Sequence, residues 1–316
     1  MAEEEAMKLL AWLLLLACAG CAATPTSPNP VWRADWVTPA STDRFTEFRV
    51  FDSVHAGGRV SFHVLLPREY ELEPARRFPV LYWLHGSGGG GAGIPVLAES
   101  FTDAMARGLM PPAIVVFPNG LANGMYCDWK DGTVLGERVF IDDLVPHIDA
   151  TFRTIATREG RIIEGFSMGG YGAGRFGFKF PEMFCGISML AAGPVQRDFT
   201  YAPRGERLRE TLLAQVYGGD LAYFREVSPW NLAEANADRI RGAISIRMAI
   251  GSRDETLPAN EALHKHLESL AISHDFTVLP GLGHEPLRVM PAMGDARWAW
   301  YRRLWSGTSG RSTSAP

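Results

Sequence analysis

The stretch RIIEGFSMGGYGAGRF, residues 161–176, decides how this chain is read. An apolar run ends at a serine set among small residues, and the residues after it, from about Met168 to Phe180, have helical character. Gly165-Phe166-Ser167-Met168-Gly169 fits the pattern G-x-S-x-G between a predicted strand and a predicted helix. A strand that passes directly into a helix leaves room for one sharp turn. The serine there must take a strained backbone conformation, and its neighbours must be small. Gly165, Gly169 and Gly170 meet that need. Such a turn lifts the hydroxyl above the C-terminal edge of a sheet, beside helix N-terminal amides that favour an anion. A chance Gly/Ser turn would not carry this flanking strand and helix.

Outward from the turn, strands and helices alternate. EFRVFDSV (47–54) and RVSFHVLLP (59–67) alternate like an antiparallel pair, with AGG near the turn. FPVLYWLHG (78–86) is nearly all apolar, as a strand buried on both faces must be. A helix is expected over 95–107 and a strand at AIVVFPN (113–119). Residues 136–152 carry apolar residues at helical spacing, with Pro146 expected to kink the helix. Then come the serine turn, strands CGISMLAAG (185–193) and AISIRMAIG (243–251), a helix over 258–271, the strand HDFTVLP (274–280) and a last helix around 286–305. This order predicts the α/β class: a mainly parallel sheet, helices on both faces, and an antiparallel N-terminal strand pair. One domain is expected over 45–306. Residues 194–240 interrupt the alternation and carry Tyr201, Tyr217, Tyr223, Phe224 and Trp230 on short helices, so an insertion or lid is expected there.

Composition narrows the function classes. The chain has 316 residues, 47% hydrophobic and 21% charged, with a net charge of −4 and no basic run, which argues against nucleic acid as a partner. LLAWLLLLACAGCAA has the apolar core of a signal peptide and is short for a membrane span. The acidic MAEEEA before it is read as a start-site artefact, with Met7 and Lys8 beginning the signal. Residues 1–23 are therefore expected to direct export, to the periplasm or cell envelope if lipidated and otherwise as a secreted protein. The stretch resembles a bacterial lipoprotein signal, with Cys18 or Cys21 as the lipidated residue. Pro-rich residues 24–44 read as a tether and 307–316 as a disordered tail. Cys127 and Cys185 remain; the sequence leaves open whether they pair. No Cys/His spacing suggests a metal site.

A serine nucleophile needs a base, and the base needs a carboxylate to hold its tautomer. His284 lies in PGLGHEP, directly after a strand, where an open α/β sheet carries its site; His147, His264 and His266 fall on helices, His55 and His63 in the N-terminal strands, and His274 at the wrong end of a strand. Asp254 follows strand 243–251 in GSRDET, with Glu255 as the alternative. Ser167, Asp254 and His284 then follow the chain order Ser…Asp…His. A tetrahedral intermediate also needs amide donors fixed in advance. The Met168 amide is one candidate. The other comes from His85-Gly86-Ser87-Gly88-Gly89, with Ser87 N–H preferred and Gly88 next. This loop lacks the Lys-Ser/Thr ending of a phosphate-binding P-loop. His85, Gly86, Trp129 and Trp230 are weaker candidates for contacts with substrate, Trp230 being better explained by the core.

With these residues in place, the chain resembles the esterase family of the α/β-hydrolase superfamily that includes esterase D, S-formylglutathione hydrolase, feruloyl and acetyl-xylan esterases and the mycolyltransferases. The matching pieces are FPVLYWLHGSGG, AIVVFPNG, the Tyr126-Cys127-Asp128 loop, LVPHIDATF, GFSMGGYGA followed by KFPEMF, AIGSRDE and LPGLGH, across residues 45–305. The resemblance implies Ser167 as nucleophile, Asp254 as acid member, His284 as base, and Ser87 and Met168 amides as the oxyanion hole. It implies a serine carboxylesterase acting on a small-molecule or saccharide ester without cofactor or metal. Two features depart from relatives. Glu285-Pro286-Leu287 follows the histidine where relatives acting on aromatic plant-wall esters carry an acidic and then an aromatic residue, and S-formylglutathione hydrolases lack an export signal. The same triad also serves an acyltransferase, and the fold can serve as a binding lipoprotein; a peptidase of related fold would need a large extra domain.

Overall fold

The computed structural model describes residues 32–306, apart from 42, 201, 203 and 204. The expected signal segment with Cys18 and Cys21, the C-terminal tail and Tyr201 lie outside the described residues. Among the described residues eight strands are formed: β1 (Glu47–Ser53), β2 (Gly58–Leu65), β3 (Val80–Leu84), β4 (Ile114–Pro118), β5 (Arg161–Phe166), β6 (Gly186–Leu190), β7 (Ser245–Gly251) and β8 (Asp275–Leu279). They make one sheet in the order β1-β2-β4-β3-β5-β6-β7-β8. β1 and β2 form an antiparallel hairpin, β2 pairs antiparallel with β4, and every later pairing is parallel.

The apolar runs become central strands because both faces are covered. On β3, Val80, Tyr82 and Leu84 enter one cluster, while Leu81 and Trp83 enter the other. That is the alternation of side chains along a strand, with hydrophobic residues required on both sides. Helix α1 (Ile94–Ala106) covers the second face through Leu97 and Phe101. Helices α2 (Val145–Thr151) and α3 (Met168–Lys179) cover the first, α3 through Tyr171, Phe176 and Phe178. The segment 194–240 holds α4 (Glu206–Gln215), α5 (Leu221–Val227) and α6 (Pro229–Ala235). Asp220 caps α5 by accepting from the Ala222 and Tyr223 amides, and Ser228 caps α6. Helices α7 (Leu257–Ser269), α8 (Pro286–Ala292) and α9 (Gly294–Trp305) complete the chain.

Register brings the strand ends level: Leu84 lies opposite Gly165, Phe166 opposite Leu190, and Gly251 opposite Leu279. The loops that leave β3, β5, β7 and β8 therefore emerge along one edge, carrying His85–Ser87, Ser167, Asp254 and His284.

Three expectations need correction. The helical run 136–152 is not an α-helix kinked at Pro146. Val139–Leu144 form a π-helical segment, and Pro146 sits in the first turn of α2. A proline has no amide to donate and crowds the carbonyl before it, so the wider turns upstream accommodate it. The last helix is two helices, parted at Gly294, whose φ of +55° suits glycine. Residues 32–41, expected as the end of a tether, lie on the domain. Trp32 and Trp36 pack against the core, the Trp36 carbonyl accepts from the Ser61 amide at 2.8 Å, and the Trp32 amide donates to Gln215 at 2.8 Å.

A charge inside a buried strand must be paired. Glu164, fully buried in β5, meets Arg247 of β7 at 2.5 Å and accepts from the Tyr301 hydroxyl at 2.9 Å. Arg247 also donates to Ser188 and to the Arg297 carbonyl, and it lies over the Trp300 ring at 4.1 Å. Burial opposes ionisation of Glu164, but Arg247 and Arg297 outweigh it and hold the carboxyl below its usual range. The cluster ties three strands to α9. Arg247→Met removes the arginine this carboxylate is bonded to and should lower the unfolding free energy by about 3–5 kcal/mol, read by urea denaturation at neutral pH. Adding Glu164→Gln to that variant should restore part of the loss.

Candidate active site

Ser167 sits at the junction of β5 and α3 with φ 58° and ψ −118°. Such a conformation costs roughly 1–3 kcal/mol for a non-glycine residue and persists only where the surroundings enforce it. Here they do. The Ser167 amide donates to the Leu190 carbonyl at 2.9 Å, and its carbonyl accepts from Gly193 at 3.1 Å and Tyr171 at 3.0 Å. A Cβ on Gly169 would lie 2.0 Å from the Leu84 carbonyl oxygen, and one on Gly165 would lie 2.4 Å from the Gly169 carbonyl. The turn closes because those side chains are missing.

The hydroxyl so presented meets a histidine from the far end of the chain. His284 Nε2 lies 2.8 Å from Ser167 Oγ, and His284 Nδ1 lies 2.8 Å from Asp254 Oδ2. The carboxylate can only accept, so the proton sits on Nδ1 and Nε2 is left to accept from the serine. The imidazole also packs on Phe166, with ring centroids 4.8 Å apart. Asp254 is buried, and its other oxygen accepts from the amide and the hydroxyl of Thr256, both at 2.8 Å. Burial alone would raise this carboxyl, but the His284 ring and Thr256 outweigh it and hold it below the usual range. Glu255, the alternative, is exposed at the mouth of the site and makes no contact with the imidazole.

Among the described residues, the Ser87 and Met168 amides have no backbone acceptor. Met168 opens α3, where amides are unpaired by construction, and Ser87 lines the same cavity as Ser167. The Gly88 amide, the other candidate, already donates to the Ala122 carbonyl at 2.7 Å. Gly86 stands against the serine: a Cβ there would lie 3.3 Å from that of Ser167.

The cavity beside Ser167 measures about 490 Å³ with its open mouth. Its walls are Met125, Pro194, Phe199, Ala202, Leu208 and Leu212, with Ser87, Thr256 and Glu255 nearer the polar side. Five of the six apolar residues come from the 194–240 segment. That segment is fastened from below by Arg175, a buried α3 residue that donates to the Val227 and Tyr126 carbonyls and pairs with Glu137 at 2.6 Å.

Three expected substrate contacts lie elsewhere. Trp129 is a core residue, buried with Cys127 and Tyr126 beneath the loop that carries it. Trp230 stacks on His266 at 4.1 Å, away from the cavity. His85 is buried and turns its ring to backbone groups rather than to the cavity. Cys127 and Cys185 are both free, and burial pushes each thiol up to about 12, so they stay protonated. The cavity wall was missed in the sequence because Met125, Pro194, Phe199 and Ala202 lie in irregular segments that give no periodic signal, and a short helix such as α4 does not show which cavity its apolar face meets. Glu164 and Arg175 could have been noticed, since a charge inside an apolar strand or a glycine-rich helix demands a partner.

The topology, the strand-to-helix turn and the loops bearing the serine, aspartate and histidine define an α/β-hydrolase fold. Solved structures agree. A ferulic acid esterase superposes with a TM-score of 0.69 at 21% identity, covering 82% of this chain and 98% of its own. An S-formylglutathione hydrolase from Agrobacterium tumefaciens gives 0.65 at 21% identity, covering 82% and 95%. Within this class, the model of the family described as "Putative esterase" matches residues 53–304, and the chain belongs to that family. Among curated relatives, Esterase Rv1288 of Mycobacterium tuberculosis (strain ATCC 25618 / H37Rv) is 32% identical over 197 residues, 60% of this chain and 40% of the relative. An endo-1,4-beta-xylanase/feruloyl esterase of Xylanibacter ruminicola is 31% identical over 195 residues, 54% of this chain and 26% of the relative. The chain thus spans less than half the length of these relatives.

Two consequences can be measured. Gly169→Ala should cost about 3 kcal/mol or more, because the added methyl meets backbone that cannot yield; a thermal melt with urea titration reads it. Asp254 has a depressed pKa, so the stability its charge contributes is fully present above the ordinary value of 3.8 and lost as pH falls through the lower folded value. The stability gap between the native protein and Asp254→Asn should therefore hold steady from pH 7 to about 4.5 and close only well below pH 3.8.

Proposed function

We propose that the protein is a serine carboxylesterase in which Ser167, His284 and Asp254 act as a triad. The observation that carries this is the unbroken relay of two 2.8 Å contacts, from a serine in a strained turn to a buried, fully hydrogen-bonded carboxylate. Ser167 Oγ attacks the ester carbonyl while His284 Nε2 takes its proton. Asp254 holds the Nδ1 proton and stabilises the imidazolium. The carbonyl oxygen becomes an oxyanion between the Ser87 and Met168 amides, each such donor being worth about 2.7–4 kcal/mol to the transition state. His284 then gives its proton to the leaving alcohol. A water, deprotonated by the same imidazole, releases the acid and restores the serine.

The apolar cavity under α4 supports an uncharged acyl group as the part bound beside Ser167. The esterase relatives, one of them a xylanase/feruloyl esterase, support a saccharide or other small-molecule alcohol as the other part. The apolar N-terminal segment supports export with a lipid tether at Cys18 or Cys21. No helix among the described residues is long and apolar enough to cross a membrane.

Hydrolysis of p-nitrophenyl acetate, butyrate and octanoate and of methyl ferulate tests the reading, beside Ser167→Ala and labelling by a fluorophosphonate. Turnover and labelling should both vanish in the variant, a fall of about 10⁶-fold in kcat. Equal turnover by Ser167→Ala would refute the triad. A folded protein that labels but does not hydrolyse would point to acyl transfer, which added sugar acceptors would reveal by mass.

A further inference from the structure

His85 is buried beside the reacting groups, but its ring does not line the Ser167 cavity. Its partners settle its tautomer without ambiguity. Nε2 lies 3.0 Å from the Gly120 amide, which can only donate. Nδ1 lies 2.8 Å from the Gly86 carbonyl, which can only accept. Hence the proton is on Nδ1, and the ring is a neutral bridge between the loop after β3 and the loop after β4. Burial lowers the ring's pKa, which keeps it neutral.

The position of that carbonyl matters. Gly86 C=O and Ser87 N–H belong to one peptide unit, and the described residues have a cis bond only at Gly193-Pro194. In a planar trans peptide the carbonyl and the amide point in opposite directions. A donor that pins the Gly86 oxygen on one side therefore aims the Ser87 amide to the other. Further contacts hold the bridge itself. Tyr126 donates its hydroxyl to the His85 carbonyl at 3.1 Å, and Gly88 donates to Ala122 at 2.7 Å. Gly90 folds so closely over the imidazole that a Cβ there would lie 2.3 Å from that of His85.

We infer that His85 is a positioning residue: by donating from Nδ1 to the Gly86 carbonyl it orients the Ser87 amide toward the oxyanion, without touching substrate. The inference rests on the esterase reading above, with Ser87 N–H as an oxyanion donor. It predicts a defect in transition-state stabilisation and not in substrate binding.

The two ring nitrogens can be replaced separately. Asparagine places an amide NH₂ near Nδ1, and glutamine places a carbonyl oxygen near Nε2. With p-nitrophenyl butyrate, His85→Gln should lose about tenfold or more in kcat, a fraction of the ~10²–10³ for deleting a donor outright, with KM within about twofold. His85→Asn should recover most of that kcat, even if it melts at a lower temperature through loss of the Gly120 contact. Inhibition by an alkyl trifluoromethyl ketone, which forms a tetrahedral oxyanion on the serine, should weaken in step with kcat in His85→Gln and not in His85→Asn. A merely structural role would make activity follow melting temperature. His85→Asn as slow as His85→Gln, or His85→Gln with native kcat and inhibition, would overturn the inference while native turnover and its loss in Ser167→Ala left the esterase reading standing. A native protein without turnover or fluorophosphonate labelling would sink both.

Discussion

Everything in the site depends on a steric constraint at one turn. β5 must pass into α3 within a single residue, and Ser167 can hold φ 58° only while Gly165 and Gly169 present no side chain to the backbone they touch. Gly169 lies so close to the end of β3 that the elbow and the neighbouring strand are a single packed object. The strain is offset by three backbone hydrogen bonds around Ser167 and by the helix that starts at the next residue. A serine on a flexible loop would spend much of its time out of line with its base. Here the alignment is paid in advance by the fold.

The same logic runs through the supporting shell. Each of the groups aligned at the site is held by a neighbour outside the alignment. Asp254 is fixed by Thr256, His284 rests on Phe166, and the loop bearing Ser87 is tied to the loop after β4 through His85 and Gly88. The cavity wall is held by Arg175, whose guanidinium reaches backbone carbonyls on both sides of α3. Under the sheet, the Glu164–Arg247 pair joins the strand that carries the serine to the strand that leads to the aspartate. These buried charges cost desolvation, and their use is to hold geometry more than to add net stability.

Family membership and the site's geometry speak to different questions. Relatives at 31–32% identity match 54–60% of this chain and no more than 40% of their own length. The 194–240 segment supplies five of the six apolar residues of the cavity wall. The cavity is therefore walled mainly by a segment outside the sheet, as expected where a rigid sheet presents variable connections.

The sequence by itself determined the sheet order's general kind, the elbow and the three residues that meet there. It could do so because those features are local. An apolar strand, a glycine-bounded serine and a polar residue just past a strand end each leave a mark within about ten residues, set by backbone sterics and side-chain periodicity. Only the tertiary structure decided the rest. Trp129 and Trp230 went to the core and to a ring stack, because whether an aromatic side chain faces a cavity depends on neighbours far along the chain. His85 proved to hold backbone, because the Gly120 amide that fixes its tautomer comes from the loop after another strand. The pairing of Glu164 with Arg247, 83 residues apart, came about because parallel strands bring distant residues level, a register that no local pattern in the sequence encodes.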